Sequence, residues 1–245
     1  ARSTSGYNHY PELPAFEKAF YANPFKNWPI DDVIAYGVKG GPVFPPGTSW
    51  KFSDTNLLII AKVLQAATGK PADVLIQEGV LNPLGLKNTT PPMSAALSNP
   101  VLHSNTGERG VWEEATFWNP SWTSYAGGYG TTQDDARAII EAVGKGSLVS
   151  KSSHEAQLSA ANVGKSQSTA PRYYAMGIGM TNGWLFTNPN LQGYQGGLAY
   201  LPSEDLTIIV YTTLSQATNP NVPHATEISV GLSKILQPQQ PLKAA

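Results

Sequence analysis

Residues 194–213 read YQGGLAYLPSEDLTIIVYTT. Two runs rich in apolar, β-branched and aromatic residues, at 196–201 and 206–213, lie on either side of the short connection 202–205. Such runs around a tight Pro-containing turn are typical of paired antiparallel strands. The sequence therefore predicts a β-hairpin here, and this hairpin decides the class of fold.

The segments before this hairpin predict further strands, and the segment after it predicts a helix. Residues 173–180 (YYAMGIGM) predict one strand, and residues 183–186 begin another. A final helix starts near Pro223, and its periodicity predicts that four side chains face the core: Ile228, Leu232, Ile235 and Leu236. Together these segments form an antiparallel meander followed by a helix.

The first half of the chain has a helical pattern. Short helices are predicted at 14–20, after Pro29, after Pro71 and after the Thr132 cap. The clearest helix covers about 54–67, with Ser53 or Asp54 as its cap, a Gly69 stop and one apolar face formed by Leu57, Ile60, Ala61 and Leu64. Helices followed by an antiparallel meander indicate an α+β fold.

We expect a single domain over residues 1–245. Its helical and loop region covers about 7–165, and its antiparallel sheet and terminal helix cover about 173–237. The aperiodic segment 87–130 contains three tryptophans, Trp112, Trp118 and Trp122, and is long enough to be a functional loop region. Trp122 is predicted to line a cleft, and the alternative interpretation is that the tryptophans form part of the core.

Composition excludes several classes of protein. The net charge is −1 with no basic patch, which argues against a nucleic-acid partner. The chain has no cysteine, so it has neither disulfides nor a thiolate nucleophile. Its four histidines are scattered without metal-ligand spacing, so no metal or other cofactor is expected. A low charged fraction of 13% favours an exported protein, secreted or in the periplasm or cell envelope.

Five segments resemble, in order, motifs of the serine β-lactamase and penicillin-binding protein family. The similarity is to the branch with class C β-lactamases, D-Ala-D-Ala carboxypeptidases and esterases. The segments are TSGYNHY (4–10), PGTSWKFSDTN (46–56), NPLGLKNT (82–89), AGGYGTTQDDAR (126–137) and GYQGGLAYLPSEDLT (193–207). The resemblance implies a β-lactamase/transpeptidase-like fold, with an antiparallel sheet flanked by helices and a separate helical region.

The resemblance also implies acyl transfer by a serine in an S-x-x-K motif, in which the lysine helps to deprotonate the hydroxyl. No serine of this chain has a lysine three residues later; the nearest imitation, Thr48 with Lys51, is more typical of a turn. The matching segments begin downstream of the family's S-x-x-K position. We therefore expect a fold whose N-terminal part is missing or reduced.

The family's second motif, Y-x-N, corresponds to Phe52-Ser53-Asp54. Phenylalanine has no proton to exchange, whereas the tyrosine phenol is ionisable. The alternative interpretation is structural, with Phe52 as a core aromatic and Asp54 as a helix cap.

The third motif, H-x-G, corresponds to Thr187-Asn188-Pro189, so threonine replaces the histidine and proline replaces the glycine. Proline has no N–H and changes the strand edge at which a substrate would lie. Asn190 would then hold the position of the oxyanion-hole N–H. An ordinary Asn-Pro turn is the alternative interpretation.

These motifs predict a site between the helix start at 52–56 and the strand edge at 187–190. The resemblance implies a peptidoglycan-like, lactam or ester ligand. The predicted ligand contacts are Asp54, Asn56, Asn188, Asn190 and Trp122, and the altered catalytic positions are Phe52, Asp54, Thr187 and Pro189.

Three hypotheses remain open. The first is a serine hydrolase of this family that is inactive as this chain alone, and the second is a non-catalytic binding or regulatory module of the same fold. The third is an unrelated α+β protein. If the front of the fold is absent, the sheet keeps an unpaired edge, which predicts pairing with an N-terminal segment or a partner chain.

Overall fold

The computed structural model describes residues 1–243. An antiparallel sheet of six strands occupies the last third of the chain, with neighbours in the order β3-β4-β5-β7 and with β6 and β8 also paired to β7. Its strands are β3 (Arg172–Tyr174), β4 (Gly179–Thr181), β5 (Trp184–Thr187), β6 (Asn190–Leu191), β7 (Tyr194–Leu201) and β8 (Leu206–Thr213). A small separate hairpin pairs β1 (Asn105–Thr106) with β2 (Glu113–Glu114).

The β7–β8 hairpin confirms the prediction from residues 194–213. Its register runs from Leu201 opposite Leu206 to Tyr194 opposite Thr213. The connection is a short 3-10 helix that ends at Asp205 in the left-handed conformation, with φ 47°. The Tyr200 hydroxyl donates to the Asp205 carboxylate at 3.0 Å, and this bond holds the turn against its own strand.

The single strand predicted at residues 173–180 is wrong. The segment forms the hairpin of β3 and β4, in which Tyr173 pairs with Met180. Gly177 lies in the turn with φ 77°, a conformation that favours glycine because it has no β-carbon. An apolar run interrupted by glycine therefore makes two short strands rather than one long strand.

Seven α-helices surround the sheet or form the helical region. Their bounds are α1 (Pro14–Ala22), α2 (Ile30–Val38), α3 (Asp54–Thr68), α4 (Ala72–Ile76), α5 (Gln133–Lys145), α6 (Lys151–Leu158) and α7 (His224–Leu236). The predicted stop of α3 is confirmed, since Gly69 caps it with φ 69°. A single π-helical turn, Gln77–Leu81, continues α4.

The start of α5 forms half of a capping box. The Thr132 hydroxyl accepts the Asp135 N–H at 3.2 Å, as an N-cap residue does. The Asp135 carboxylate, however, accepts from the Asn88 N–H and the Thr89 hydroxyl. Asp135 thus ties the loop at residues 88–89 to α5.

Buried side chains form three clusters. An aromatic cluster fills the helical region and contains Tyr10, Phe16, Phe20, Trp28, Trp118 and Trp122. One face of the sheet packs on α5 through Leu185, Leu198 and Tyr200. The other face buries Trp184, Leu201 and Ile208 with Leu242 near the chain end.

The predicted inward face of α7 is wrong. Its apolar side chains are exposed: Ile228 by 45%, Leu232 by 39%, Ile235 by 77% and Leu236 by 52%. The helix instead packs on the sheet through small buried residues, Ala225, Ser229 and Ser233. Gly197 on β7 makes this possible, because a β-carbon at that position would collide with the Ser229 hydroxyl and the Ala225 carbonyl.

The helical region shows a related deviation, and among the described residues the sheet has edge strands at both ends, β3 and β8. Leu64, predicted on the buried face of α3, is 46% exposed, whereas Ala61 is buried. Within residues 1–243, β8 has one hydrogen-bonded neighbour, β7. Among the described helices, none combines the length and the apolar character that crossing a membrane requires.

Candidate functional site

The start of α3 is held by the segment at residues 5–9. Ser53 and Thr55 both donate their hydroxyls to the Asn8 carbonyl, at 2.8 and 2.6 Å. The Ser5 hydroxyl donates to the Asn56 side-chain oxygen at 2.5 Å. The predicted ligand contact Asn56 is therefore buried and engaged inside the protein.

His9 supplies the cap that the sequence assigns to Asp54 or Ser53. The Asp54 N–H donates to His9 Nδ1 at 3.2 Å, and Ser53, at the N-cap position, makes no side-chain capping bond. Capping of α3 by Asp54 is therefore wrong. Because Nδ1 accepts this bond, the neutral His9 ring carries its proton on Nε2.

The Asp54 carboxylate lies beside the same ring, with Oδ2 3.9 Å from His9 Nδ1. Burial raises the pKa of Asp54 to about 7, and the negative charge of Glu12 adds to the effect. Burial also lowers the pKa of His9. At neutral pH the pair therefore contains an uncharged imidazole beside a carboxyl group in mid-titration.

Phe52 stands at the position where the family motif has tyrosine. It is 38% exposed, so it is not the fully buried core aromatic of the structural interpretation. Its ring meets those of His9 and Tyr174 edge-on, with centroids 5.3 and 5.8 Å away. Burial, with the nearby Asp54, raises the pKa of Tyr174 to about 12, so this phenol stays protonated at neutral pH.

The third-motif segment forms a break between two short strands. Thr187 ends β5 opposite Leu198, and Asn190 begins β6 opposite Gln195. Between them the Pro189 carbonyl accepts the Gly196 N–H at 2.7 Å. The Pro189 ring occupies the space above Gly196, where a β-carbon would lie only 2.6 Å from it.

A cleft of about 270 Å³ lies between the helical region and β6. It brings two predicted ligand contacts, Trp122 and Asn190, to the same cavity as His9. Its remaining walls are Pro11, Phe16, Glu17, Phe20, Tyr21, Glu108, Leu191 and Gln192. A second, smaller cavity of about 50 Å³ touches Asn188, Pro189 and Asn190.

The other predicted positions do not line these two cavities. Phe52, Asp54, Asn56 and Thr187 are absent from both walls. Asp54 and Phe52 contact His9, so they can act on the larger cleft only through its ring.

Trp122 belongs to both the core and the cleft. It is 8% exposed, and its ring packs against Phe20 with centroids 5.4 Å apart. The Tyr10 hydroxyl donates to the Trp122 carbonyl at 2.8 Å and fixes the main chain there. The Trp122 indole N–H is buried and has no hydrogen-bond partner within the part of the chain that the structure describes.

Of the eleven residues that line the cleft, the sequence predicted two, Trp122 and Asn190. The missed residues include all four with titratable side chains: His9, Glu17, Tyr21 and Glu108. His9 lies inside TSGYNHY, and its proximity to the start of α3 could be inferred only from the order of the family motifs. Glu108 lies in the aperiodic loop between β1 and β2, where no pattern distinguishes it from a surface residue.

The cleft walls combine charged, polar and aromatic side chains. They contain carboxylates, amides, an imidazole and aromatic rings, but no serine, threonine, cysteine or lysine. Thr48 is not near this cleft wall; its hydroxyl donates to the Pro45 carbonyl at 2.6 Å, within a turn. In residues 1–243 no group of three histidine, aspartate or glutamate side chains is placed to hold a metal ion.

Solved structures share this fold at low sequence identity. A D-stereospecific amidohydrolase from Streptomyces superimposes with a TM-score of 0.79 at 22% identity, over 86% of this chain and 66% of its own. A penicillin-binding protein from Bacillus halodurans gives 0.74 at 15% identity, over 94% and 70% of the two chains. A D-amino acid amidase from Ochrobactrum anthropi, complexed with L-phenylalanine, gives 0.74 at 15% identity, over 96% and 68%.

The chain thus spans about two thirds of the length of these structures. No curated protein matches it significantly. The family model described as Beta-lactamase matches residues 1–231, which is most of the chain. Together with the α+β architecture and the motif order, this match shows that the chain belongs to the β-lactamase family.

Proposed function

We propose that this chain binds a small amide or ester in the cleft between His9 and Asn190 and does not cleave it by itself. One observation carries the proposal. The cleft is lined by aromatic rings, amides, carboxylates and an imidazole, and its wall has no hydroxyl of serine or threonine, no thiol and no amine to act as an acyl-transfer nucleophile.

The shape and lining of the cleft favour an aromatic or bulky apolar acyl compound. Phe16, Phe20 and Trp122, from the buried aromatic cluster, form the apolar part of the lining, and Asn190 and Gln192 provide amide groups at the strand edge. Solved relatives named D-amino acid amidase are complexed with phenylalanine and with L-phenylalanine amide, which makes phenylalanine amide a reasonable first probe.

The altered motifs support a site without turnover. Phe52 offers no phenol, and Pro189 offers no N–H at the strand edge. The neutral His9 ring can donate from Nε2 to a ligand, but it has no adjacent hydroxyl among the cleft residues to activate.

Calorimetric titration of the 245-residue chain with D- and L-phenylalanine amide tests the proposal. We expect saturable binding, no ammonia release and no labelling by a fluorophosphonate. Leu191→Trp should fill the cleft and weaken binding, while Leu64→Trp, at an exposed leucine of α3 outside the cleft, should not. Ammonia release or labelling of the purified chain would show that it is an enzyme, and failure of both amides to bind would remove the site.

The alternative function is acyl transfer with a nucleophile supplied from outside these 245 residues. Family membership favours it, as does the span of about two thirds of the similar structures. A fluorescent penicillin should then label the full-length gene product on a serine that this chain lacks. An unlabelled full-length product would leave the binding module as the function.

We also propose that the β8 edge of the sheet accepts another strand. The eight residues of β8 pair only with β7 within residues 1–243, and α7, whose apolar face is exposed, packs on β7 and β8. Unpaired strand edges and apolar patches favour association. The pairing segment belongs to an additional N-terminal part of the fold, or to a second copy when this chain is alone.

A further inference from the structure

The cleft has a distinct electrostatic character at one end. Glu108 and Glu17 both line it, and its walls contain no lysine or arginine. Neither carboxylate has a lysine, arginine or histidine nitrogen within 4.0 Å in residues 1–243; the neighbouring Arg109 pairs with Glu113 instead. The cleft therefore carries negative charge without an internal counterion.

Glu108 is held at the mouth of the cleft by a main-chain hydrogen bond. Its own N–H donates to the Thr106 hydroxyl at 3.3 Å, which fixes the turn between β1 and β2. Partial loss of water raises the pKa of Glu108, and hydrogen bonds from Tyr21 and Thr106 oppose that rise. The residue as a whole is exposed, so its carboxyl group stands at the mouth of the cleft rather than deep inside.

Aromatic side chains form another part of the lining. Tyr21 packs on Phe20 with ring centroids 5.2 Å apart, and Phe20 packs on Trp122. A carboxylate beside an aromatic wall is a favourable environment for a ligand that carries a protonated amine next to an apolar group. The carboxylate offers a charge-assisted hydrogen bond to the amine, and the wall offers apolar contacts.

We propose that the cleft selects ligands that carry a protonated primary amine beside an apolar group, and that Glu108 binds this amine. The inference rests on the proposed binding function and gives its substrate class. Ligands whose only charge is a carboxylate, such as acidic β-lactams, are disfavoured because two uncompensated carboxylates repel them.

Calorimetry with matched ligands tests this. L- or D-phenylalanine amide carries the amine, and 3-phenylpropanamide lacks only that group. We expect the aminated compound to bind roughly tenfold more tightly or better near neutral pH, because a charge-assisted hydrogen bond in a partly desolvated site contributes about that much. Glu108→Gln should abolish the difference, and Glu204→Gln, an exposed glutamate remote from the cleft, should preserve it.

Tyr21→Phe provides a second test. It should shift the pH dependence of amine binding, which a loss of folding would not do. Without the phenol donor the pKa of Glu108 rises further, so the pH at which amine binding begins should move upward while tight binding at high pH remains. The test uses 2-phenylethylamine, whose amine stays protonated throughout the range.

The outcomes of calorimetry distinguish a failure of amine selection from a failure of the binding site itself. Equal binding of the two amides, or an unchanged preference in Glu108→Gln, overturns amine selection while the binding site stands. If neither amide binds, both the site and its selectivity are overturned.

Discussion

The α-carbon of Gly193 lies against the main-chain carbonyl oxygen of Asn105. A β-carbon at position 193 would collide with that oxygen, and the glycine has φ 84°. Tyr194, the next residue, donates its hydroxyl to the Leu102 carbonyl at 2.6 Å. The turn between β6 and β7 is thus clamped to the loop that carries Glu108, so two walls of the cleft are placed by a main-chain contact.

Gly193→Ala should damage both stability and binding. The left-handed backbone conformation and the collision with a main-chain atom that cannot rotate away should together cost about 3 kcal/mol of the free energy of unfolding. Urea unfolding measures this loss, and phenylalanine amide should bind more weakly because the Glu108 loop is displaced.

Gly177→Ala is the matched control for this prediction. Gly177 also has a positive φ, 77°, but an added β-carbon there would meet open space. The Gly177→Ala variant should lose only about 1 kcal/mol of the free energy of unfolding and should still bind phenylalanine amide. Similar losses for the two variants would show that the Gly193 contact does not place the cleft.

The sequence predicted those parts of the fold that depend on local pattern. The β7–β8 hairpin has a strong strand pattern on both sides of a proline turn, and the structure reproduces its bounds at Leu206–Thr213. The face of α7 was mispredicted because periodicity reports hydrophobicity, whereas Gly197 admits a helix only through the small residues Ala225 and Ser229.

The candidate site was harder to predict, since its walls come from distant segments. Asn190 and Trp122 followed from motif order and loop composition, and both line the cleft. His9 and Glu108 have no local signature, and their roles depend on contacts across the fold: the His9 bond to the Asp54 N–H and the clamp between Gly193 and Asn105.

Phe52 should act by packing. Its edge-on contacts with His9 and Tyr174 leave one side of the ring exposed, so a hydroxyl can be added there at little cost. Phe52→Tyr should change the free energy of unfolding by less than about 0.5 kcal/mol. Phe52→Ala should lose about 1 to 2 kcal/mol, from apolar area and two aromatic contacts.

Urea unfolding measures both variants, with Phe25→Ala as a control at a ring that is 63% exposed. A Phe52→Ala loss as small as that of Phe25→Ala would refute the packing role. Fluorophosphonate labelling of Phe52→Tyr should remain absent, because the phenol alone does not supply a nucleophile.

Asp54→Asn should stabilise the protein at high pH only. The pKa of Asp54 is raised to about 7 in the folded protein, above its unfolded value of 3.8, so the folded state binds the extra proton between these limits. Wild-type stability should therefore fall as pH rises from about 4 to about 7 and then level off.

Asparagine removes this dependence and keeps the main-chain N–H that His9 accepts. The variant should exceed wild type by roughly 2 to 4 kcal/mol above pH 7, less about 0.5 kcal/mol for the lost interaction with the helix dipole. Urea unfolding across pH measures the difference, and Asp32→Asn on the exposed start of α2 is the control. A constant difference across the pH range would contradict the assignment.

The exposed face of α7 should govern association of the isolated chain. Leu232 and Ile235 are exposed on α7, which packs on β7 and on the edge strand β8. Replacing them therefore removes apolar area from a surface but none from the three buried clusters. Light scattering after size-exclusion chromatography should show wild type forming dimers or larger species as concentration rises. Leu232→Lys with Ile235→Lys should remain monomeric with unchanged unfolding free energy.

Val63→Lys with Leu64→Lys, on the exposed side of α3, is the control and should associate like wild type. A wild-type chain that stays a compact monomer at every concentration, or an equal effect of the α3 pair, would show that this edge does not recruit a second copy.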